Sequence, residues 1–215
     1  SFKTGKRIVE MVHEDLVPSK IMTKEAFENA IYVASAIGAS SNCPPHLAAI
    51  AKHMGIDFGI DNWEKLGHDI PLLVNCQPAG EHLMEGFFKA GGIPAIMQEL
   101  MKNNKLHKKL MTVTGKTVEE NLKDEIKIDN NVIKTFQNPL VDNAGFIIMK
   151  SNFFNTAVMK TSVISDEFRK RYLSNPKNPN VFEANAVVFE GPEDYHLRIN
   201  DKKLKIDENS ILMIR

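Results

Sequence analysis

The stretch GASSNCPPHLAAIAKHM, residues 38–54, joins a small-residue turn to an apolar helix. Gly38 is free to take the left-handed conformation that ends a helix, and the small residues leave room for a close backbone approach. Ser40, Ser41 and Asn42 add hydroxyl and amide donors and acceptors. Pro44 and Pro45 suit a first helical turn, and Leu47, Ile50, Ala51 and Met54 recur as a stripe to be buried. The helix start presents N–H groups and the positive end of its dipole toward the turn. Two readings stand together. One is a pocket lining for an anionic or polyhydroxylated ligand; the other is a capping turn that satisfies its own backbone. Ser40, Ser41, Asn42 and His46 are the pocket candidates, whereas His53 lies two turns further on, too far to share a metal with His46.

Working outward, the flanking sequence is helical. Ile8, Val9, Met11, Val12 and Leu16 form one helical stripe, broken at Val17-Pro18-Ser19. Thr23 caps a helix whose face carries Phe27, Ile31 and Ala34 and which closes at Gly38. Asp61-Asn62-Trp63-Glu64 has capping-box spacing ahead of a short helix. Residues 70–74, all apolar, predict a buried parallel strand. Gln77-Pro78-Ala79-Gly80 is a turn into a helix over 81–90, and a second helix follows at 93–101 after Gly91-Gly92.

The second part of the chain differs. Ten of the twelve glycines fall within residues 1–115, and beyond them short strand candidates dominate, at 132–136, 145–150, 157–161, 186–190 and 210–214. Helices are predicted at 166–173 and 193–199, and an irregular loop at 175–180. Residues 123–131 are charged and lack an apolar period. They read as a linker between a helix-rich α/β portion (1–122) and the start of a β-rich, barrel-like portion (132–215).

With 43% hydrophobic and 25% charged residues, the composition is that of a globular protein. Lysine plus arginine equals aspartate plus glutamate at 27 each, which disfavours nucleic acid or an anionic membrane as the main partner. No apolar run approaches the roughly 20 residues that span a bilayer. Cys43 and Cys76 are 33 positions apart. Two cysteines make neither a disulfide framework nor a four-ligand metal site, and they point to a reducing, cytoplasmic setting. They read as small buried or half-buried thiols.

Three further patterns carry chemistry in outline. Thr114-Gly115-Lys116-Thr117 ends like a phosphate-binding loop, but Leu110 stands where that loop needs glycine, so a turn capping a short helix is the better reading. Glu81, His82 and Glu85 share a predicted helix but lack a third ligand. Lys160-Thr161-Ser162 ends a predicted strand, where Thr161 and Ser162 are hydroxyl-bearing candidates for a cleft rim. The basic run Lys105, His107, Lys108 and Lys109 reads as a solvated helix end.

Seven blocks in collinear order carry a resemblance to the dihydroxy-acid and sugar-acid dehydratases. They are the 38–54 stretch, TKEAFENAI (23–31), DIPLLVNCQPAGEHLME (69–85), KAGGIPAIMQEL (89–100), TVTGKTVEENL (112–122), NAGFIIMKSNFFNTAVMKTS (143–162) and VVFEGPEDYHLRI (187–199). The family's usual Gly-Gly-Ser-Thr-Asn-Ala block has Ala39, Ser41 and Cys43 at its second, fourth and last positions here. The blocks at 67–81 and 189–199 are more similar to aldonic-acid (pentonate) dehydratases than to the branched-chain enzyme.

The resemblance implies an α/β domain followed by a β-barrel-type domain, with the active site between them. It implies dehydration of a 2,3-dihydroxy acid to a 2-keto acid by a homodimer or tetramer. An iron–sulfur cluster would act as Lewis acid at C3, magnesium would sit at the carboxylate end, and a serine would take the C2 proton. The family's cluster cysteines lie upstream of the matched blocks and its Gly-Arg-x-Ser motif downstream. The expectation is therefore an internal piece of a longer polypeptide, inactive alone, holding no catalytic residue, metal or cluster of its own. A branched-chain dihydroxy-acid dehydratase and a non-catalytic binding or assembly module on the same scaffold are the alternatives.

Overall fold

A computed structural model describes residues 1–150, 155–178 and 181–215. They form two compact units, 1–163 and 164–215. In the first, the helices are α1 (Phe2–His13), α2 (Pro18–Ile21), α3 (Lys24–Ala36), α4 (Cys43–His53), α5 (Asp61–Gly67), α6 (Met84–Lys89), α7 (Gly92–Lys102) and α8 (Val118–Asn121). The strands β1 (Phe146–Met149) and β2 (Ala157–Lys160) follow, then a 3-10 turn at Thr161–Val163.

Helix α3 is shared by both hydrophobic clusters of this unit. Thr23 caps it, its Oγ1 accepting from the Ala26 N–H at 3.3 Å. It closes where the sequence predicts. Gly38 has φ of +61°, its N–H donates to the Ser35 carbonyl, and Ala39 N–H reaches back to Ala34, the paired bonds of a glycine-terminated helix. Phe27, Ile31 and Ala34 of α3 meet Ala51 of α4, Trp63 of α5 and Phe146 of β1. At its end, Ala36 joins Ile70, Leu73 and Val74, with Phe87 of α6 and Ile96 and Leu100 of α7.

Residues 70–74 are buried, as their composition demands, but they form no parallel strand. Leu72 and Val74 make isolated antiparallel bridges to Val141 and Ile133, and Leu73 N–H donates to the Ala36 carbonyl at 2.8 Å. The predicted strand at 132–136 is likewise reduced to single bridges. An apolar run specifies burial; the neighbour that completes its ladder comes from elsewhere in the chain.

Other local expectations are corrected. The α1 stripe is mostly exposed, with Met11 buried and Ile8, Val9 and Val12 at the surface. Ile50 of α4 is also exposed, and burial there falls on Pro44 and Ala51. Asp61 does not open a capping box: the N-cap of α5 is Ile60, with no side-chain cap bond. The capping box lies instead at Thr117 and Glu120, at the start of α8. Helix α6 begins at Met84, so Glu81 and His82 precede it rather than share it with Glu85. The basic run beyond α7 is tied to α3: Asn29 bonds both backbone groups of His107, whose Nε2 sits 2.7 Å from Glu28.

Residues 123–131 form neither helix nor strand, yet Ile126 and Ile128 pack against the core. Two buried polar side chains of α7 secure this region. Gln98 Nε2 donates to the carbonyls of Leu122 and Asp124 at 2.8 and 2.7 Å, and Glu99 Oε1 accepts from the Phe136 N–H at 2.8 Å. Gln98→Ala leaves two carbonyls without their donor. It is expected to cost about 1–3 kcal/mol in urea unfolding and to speed amide exchange over 122–128.

β1 and β2 pair antiparallel, Phe146 opposite Lys160 and Met149 opposite Ala157. In the second unit, α9 (Asp166–Tyr172), β3 (Asn185–Phe189), α10 (Pro192–Arg198), a 3-10 turn (Lys202–Leu204) and β4 (Ser210–Ile214) follow one another. β3 and β4 are parallel, connected through α10. Phe189 is fully buried beneath Tyr195 and the Arg198 guanidinium. The predicted loop is a turn at 175–178; its residues 179 and 180 lie outside the described residues. The architecture is mixed α and β. Its strands form two separate two-stranded sheets, with no closed barrel among the described residues.

Candidate functional site

The turn that closes α3 opens onto a cleft of about 580 Å³ in the first unit. Gly38, Ala39, Ser40 and Ser41 form one side. The extended chain at Val74, Cys76 and Gln77 forms another, with Met84 and Phe87 from α6. Lys160, the last residue of β2, enters with Val163. Gly38 is required at the junction. A Cβ there would stand 2.9 Å from Leu72 Cδ1 and 3.4 Å from Ser162 Oγ, on a backbone at positive φ.

Of the six residues singled out from sequence, Ser40 and Ser41 line the cleft. Asn42 and His46 are exposed and are not among its lining residues. Thr161 and Ser162 are buried rather than at a rim. Thr161 Oγ1 donates to the Gly145 carbonyl at 2.6 Å, which ties the strand end to the start of β1. Ser162 Oγ is buried without a hydrogen-bond partner among the described residues.

The expected free donors at the start of α4 are also spent. Pro44 and Pro45 have no N–H, Cys43 N–H donates to the Ser40 carbonyl at 3.0 Å, and His46 N–H donates to Asn42. Ser40 Oγ accepts from Asn42 N–H at 3.2 Å. The turn is thus self-capped on its α4 side while both serines still border the cleft.

Sequence reasoning passed over Lys160 and Gln77. The sequence signal for Lys160 is its position as a lone cation ending the apolar segment Ala157–Lys160. Gln77 read only as a turn residue. Lys160 is the one charged side chain lining the cleft among the described residues. Burial pushes its ammonium down from the ordinary lysine range, with neighbouring Cys43 pulling it partly back. Burial also pushes the Cys43 thiol up, against the Lys160 charge and a backbone hydrogen bond at Ser40.

Thr114–Thr117 is a turn: Gly115 N–H donates to Thr112, and Thr117 opens the four-residue α8. Among the described residues, no three His, Cys, Asp or Glu side chains converge as a metal site requires. Cys43 is half-buried, and buried Cys76 has its Sγ 3.9 Å from Met84 Sδ. This donor set, among the described residues, does not fit an iron–sulfur cluster or a magnesium ion. No described helix is long and apolar enough to cross a membrane.

Residues 1–121 match the family described as dihydroxy-acid/6-phosphogluconate dehydratase N-terminal, and residues 131–215 match its C-terminal counterpart. The chain is 51% identical to D-xylonate dehydratase of Caulobacter vibrioides over all 215 residues, which make up 36% of that protein. It is 42% identical to L-arabinonate dehydratase of Rhizobium leguminosarum bv. trifolii, over 99% of this chain and 35% of that protein. It is 38% identical to dihydroxy-acid dehydratase of Ignicoccus hospitalis, over 99% of this chain and 36% of that protein. The chain spans about a third of the length of these relatives.

Proposed function

The chain belongs to the dihydroxy-acid/6-phosphogluconate dehydratase family, and from that premise we propose that it forms part of a hydro-lyase acting on a sugar acid. The reaction removes water from a 2,3-dihydroxy acid. The C2 proton goes to a base, the C3 hydroxyl departs, and the resulting enol becomes a 2-keto-3-deoxy acid. The observation that carries this reading is the 51% identity to D-xylonate dehydratase along the entire chain.

The role of this chain is to supply one wall of the substrate site. The cleft supports that role: it is roomy for a five-carbon acid, and Ser40, Ser41 and Gln77 offer partners for hydroxyls along an otherwise mostly apolar lining. Residues 1–122 and 132–215 are then parts of two domains joined at 123–131, the second being the beginning of a barrel-like domain. An iron–sulfur cluster and magnesium are cofactors of the whole enzyme, supplied by residues other than these. A cytoplasmic homodimer or tetramer, with neither nucleic acid nor membrane as partner, completes the reading; the balanced charge supports the last point alone.

Turnover by the polypeptide that carries this chain, loaded with its cofactors, tests the reading. D-xylonate or L-arabinonate is expected to give a 2-keto-3-deoxy acid, detected as its semicarbazone. Preference for dihydroxyisovalerate would move the assignment to a branched-chain dihydroxy-acid dehydratase. No keto acid from any of the three would overturn it in favour of a non-catalytic module.

A further inference from the structure

We propose that Lys160 binds the carboxylate of the acid in this cleft, making it the residue that separates a sugar acid from the uncharged sugar alcohol of the same length. The inference rests on the sugar-acid reading of the cleft and names the group that reads the acid.

Three observations carry it. Lys160 is the one charged side chain among the described lining residues, in a cleft that Ser40, Ser41 and Gln77 also line. It makes no ion pair with any described carboxylate, although lysine and arginine pairs such as Lys89–Glu85 and Arg198–Asp194 form elsewhere among the described residues. None of residues 151–154 or 179–180, outside the described set, is acidic. Finally, its titratable neighbour is Cys43, which burial keeps as a neutral thiol and so supplies no counter-charge.

A half-buried ammonium without an anion is unfavourable, and the protein tolerates it where a ligand brings the missing charge. The same lining suits the rest of such a ligand, since the serine hydroxyls and the Gln77 amide each both donate and accept. A carboxylate has two oxygens, so one held by Lys160 leaves the other for groups supplied by the rest of the enzyme.

The test compares wild type, Lys160→Gln and Lys160→Arg in the cofactor-loaded enzyme, alongside calorimetric binding of D-xylonate and uncharged xylitol. Loss of a charge-assisted bond is expected to raise the KM for D-xylonate about 10- to 100-fold in Lys160→Gln, with kcat within about threefold, and Lys160→Arg is expected to recover most of the loss. In binding, wild type favours D-xylonate over xylitol and Lys160→Gln abolishes that preference. An unchanged KM, a fall in kcat alone, equal binding of the two ligands by wild type, absence of D-xylonate binding, or a preference that survives Lys160→Gln each overturns the proposal. Failure of turnover with every dihydroxy acid sinks the dehydratase reading instead, and the binding comparison then decides the role of Lys160 independently.

Discussion

Gly145→Ala is expected to destabilise the chain by about 3 kcal/mol or more, enough to leave a large fraction unfolded at 37 °C. Gly145 precedes β1 and passes directly over the end of α5. A methyl group on it would overlap the Gly67 carbonyl oxygen, lie 2.5 Å from the carbonyl carbon and stand 3.0 Å from His68 Cα. All three obstacles are backbone, so no side-chain rotamer relieves them. Gly67 has the same problem on its other side, where a Cβ would meet Ser35 Oγ at 2.6 Å and Ile31 Cγ2 at 2.8 Å, both on α3.

The layering of α3, α5 and β1 therefore depends on two glycines in contact. Separating them opens the cluster around Trp63 and Phe146 and strains the Thr161 bond to the Gly145 carbonyl. Urea unfolding followed by circular dichroism measures the effect. Gly5→Ala is the control: it lies within α1 with nothing within 4 Å of its added Cβ, and it is expected to stabilise by about 0.5–1 kcal/mol. A Gly145→Ala protein that unfolds within 1 kcal/mol of wild type, on the same order as that control, would show that β1 does not approach α5 so closely.

Trp63→Ala should cost about 3–5 kcal/mol. The side chain is completely buried, and its ring meets Phe146 edge to face with centroids 5.0 Å apart. Truncation leaves a cavity at the meeting of α3, α4, α5 and β1, whose surroundings are constrained by the glycine contacts just described. Trp63→Phe is expected to cost under about 2 kcal/mol, because it keeps an aromatic ring and removes an indole N–H that has no buried partner among the described residues. Far-ultraviolet circular dichroism serves for all three proteins, since Trp63 is the only tryptophan. Equal losses in the two variants would mean that the contact with Phe146 contributes little.

Legibility divides along physical lines. Helix caps and stops are local, and several were readable. Thr23 and Gly38 bound α3, Thr117 opens α8, and the Gly115 turn follows from backbone chemistry within a few residues. Strand candidates at 145–150, 157–161, 186–190 and 210–214 correspond to β1 to β4 because short β-branched and apolar runs bounded by turn residues favour extended chain. Periodicity failed where it had to name a partner. Val9 and Val12 have helical spacing but remain exposed, and the 70–74 run found antiparallel bridges instead of a parallel sheet.

For the candidate site, sequence located the small-residue turn, so Ser40 and Ser41 border the cleft. It did not show that Thr161 and Ser162 are buried, since which side of a strand end faces a cleft depends on what packs behind it. By itself the sequence determined the family, the helix-bounding residues and the short strands, because each is written in contiguous residues. Only the tertiary structure decided that Lys160, some 120 residues from Ser40 in the chain, shares a cleft with it and has no counter-ion among the described residues. Through-space proximity and desolvation arise from packing among distant segments, and no local pattern encodes them.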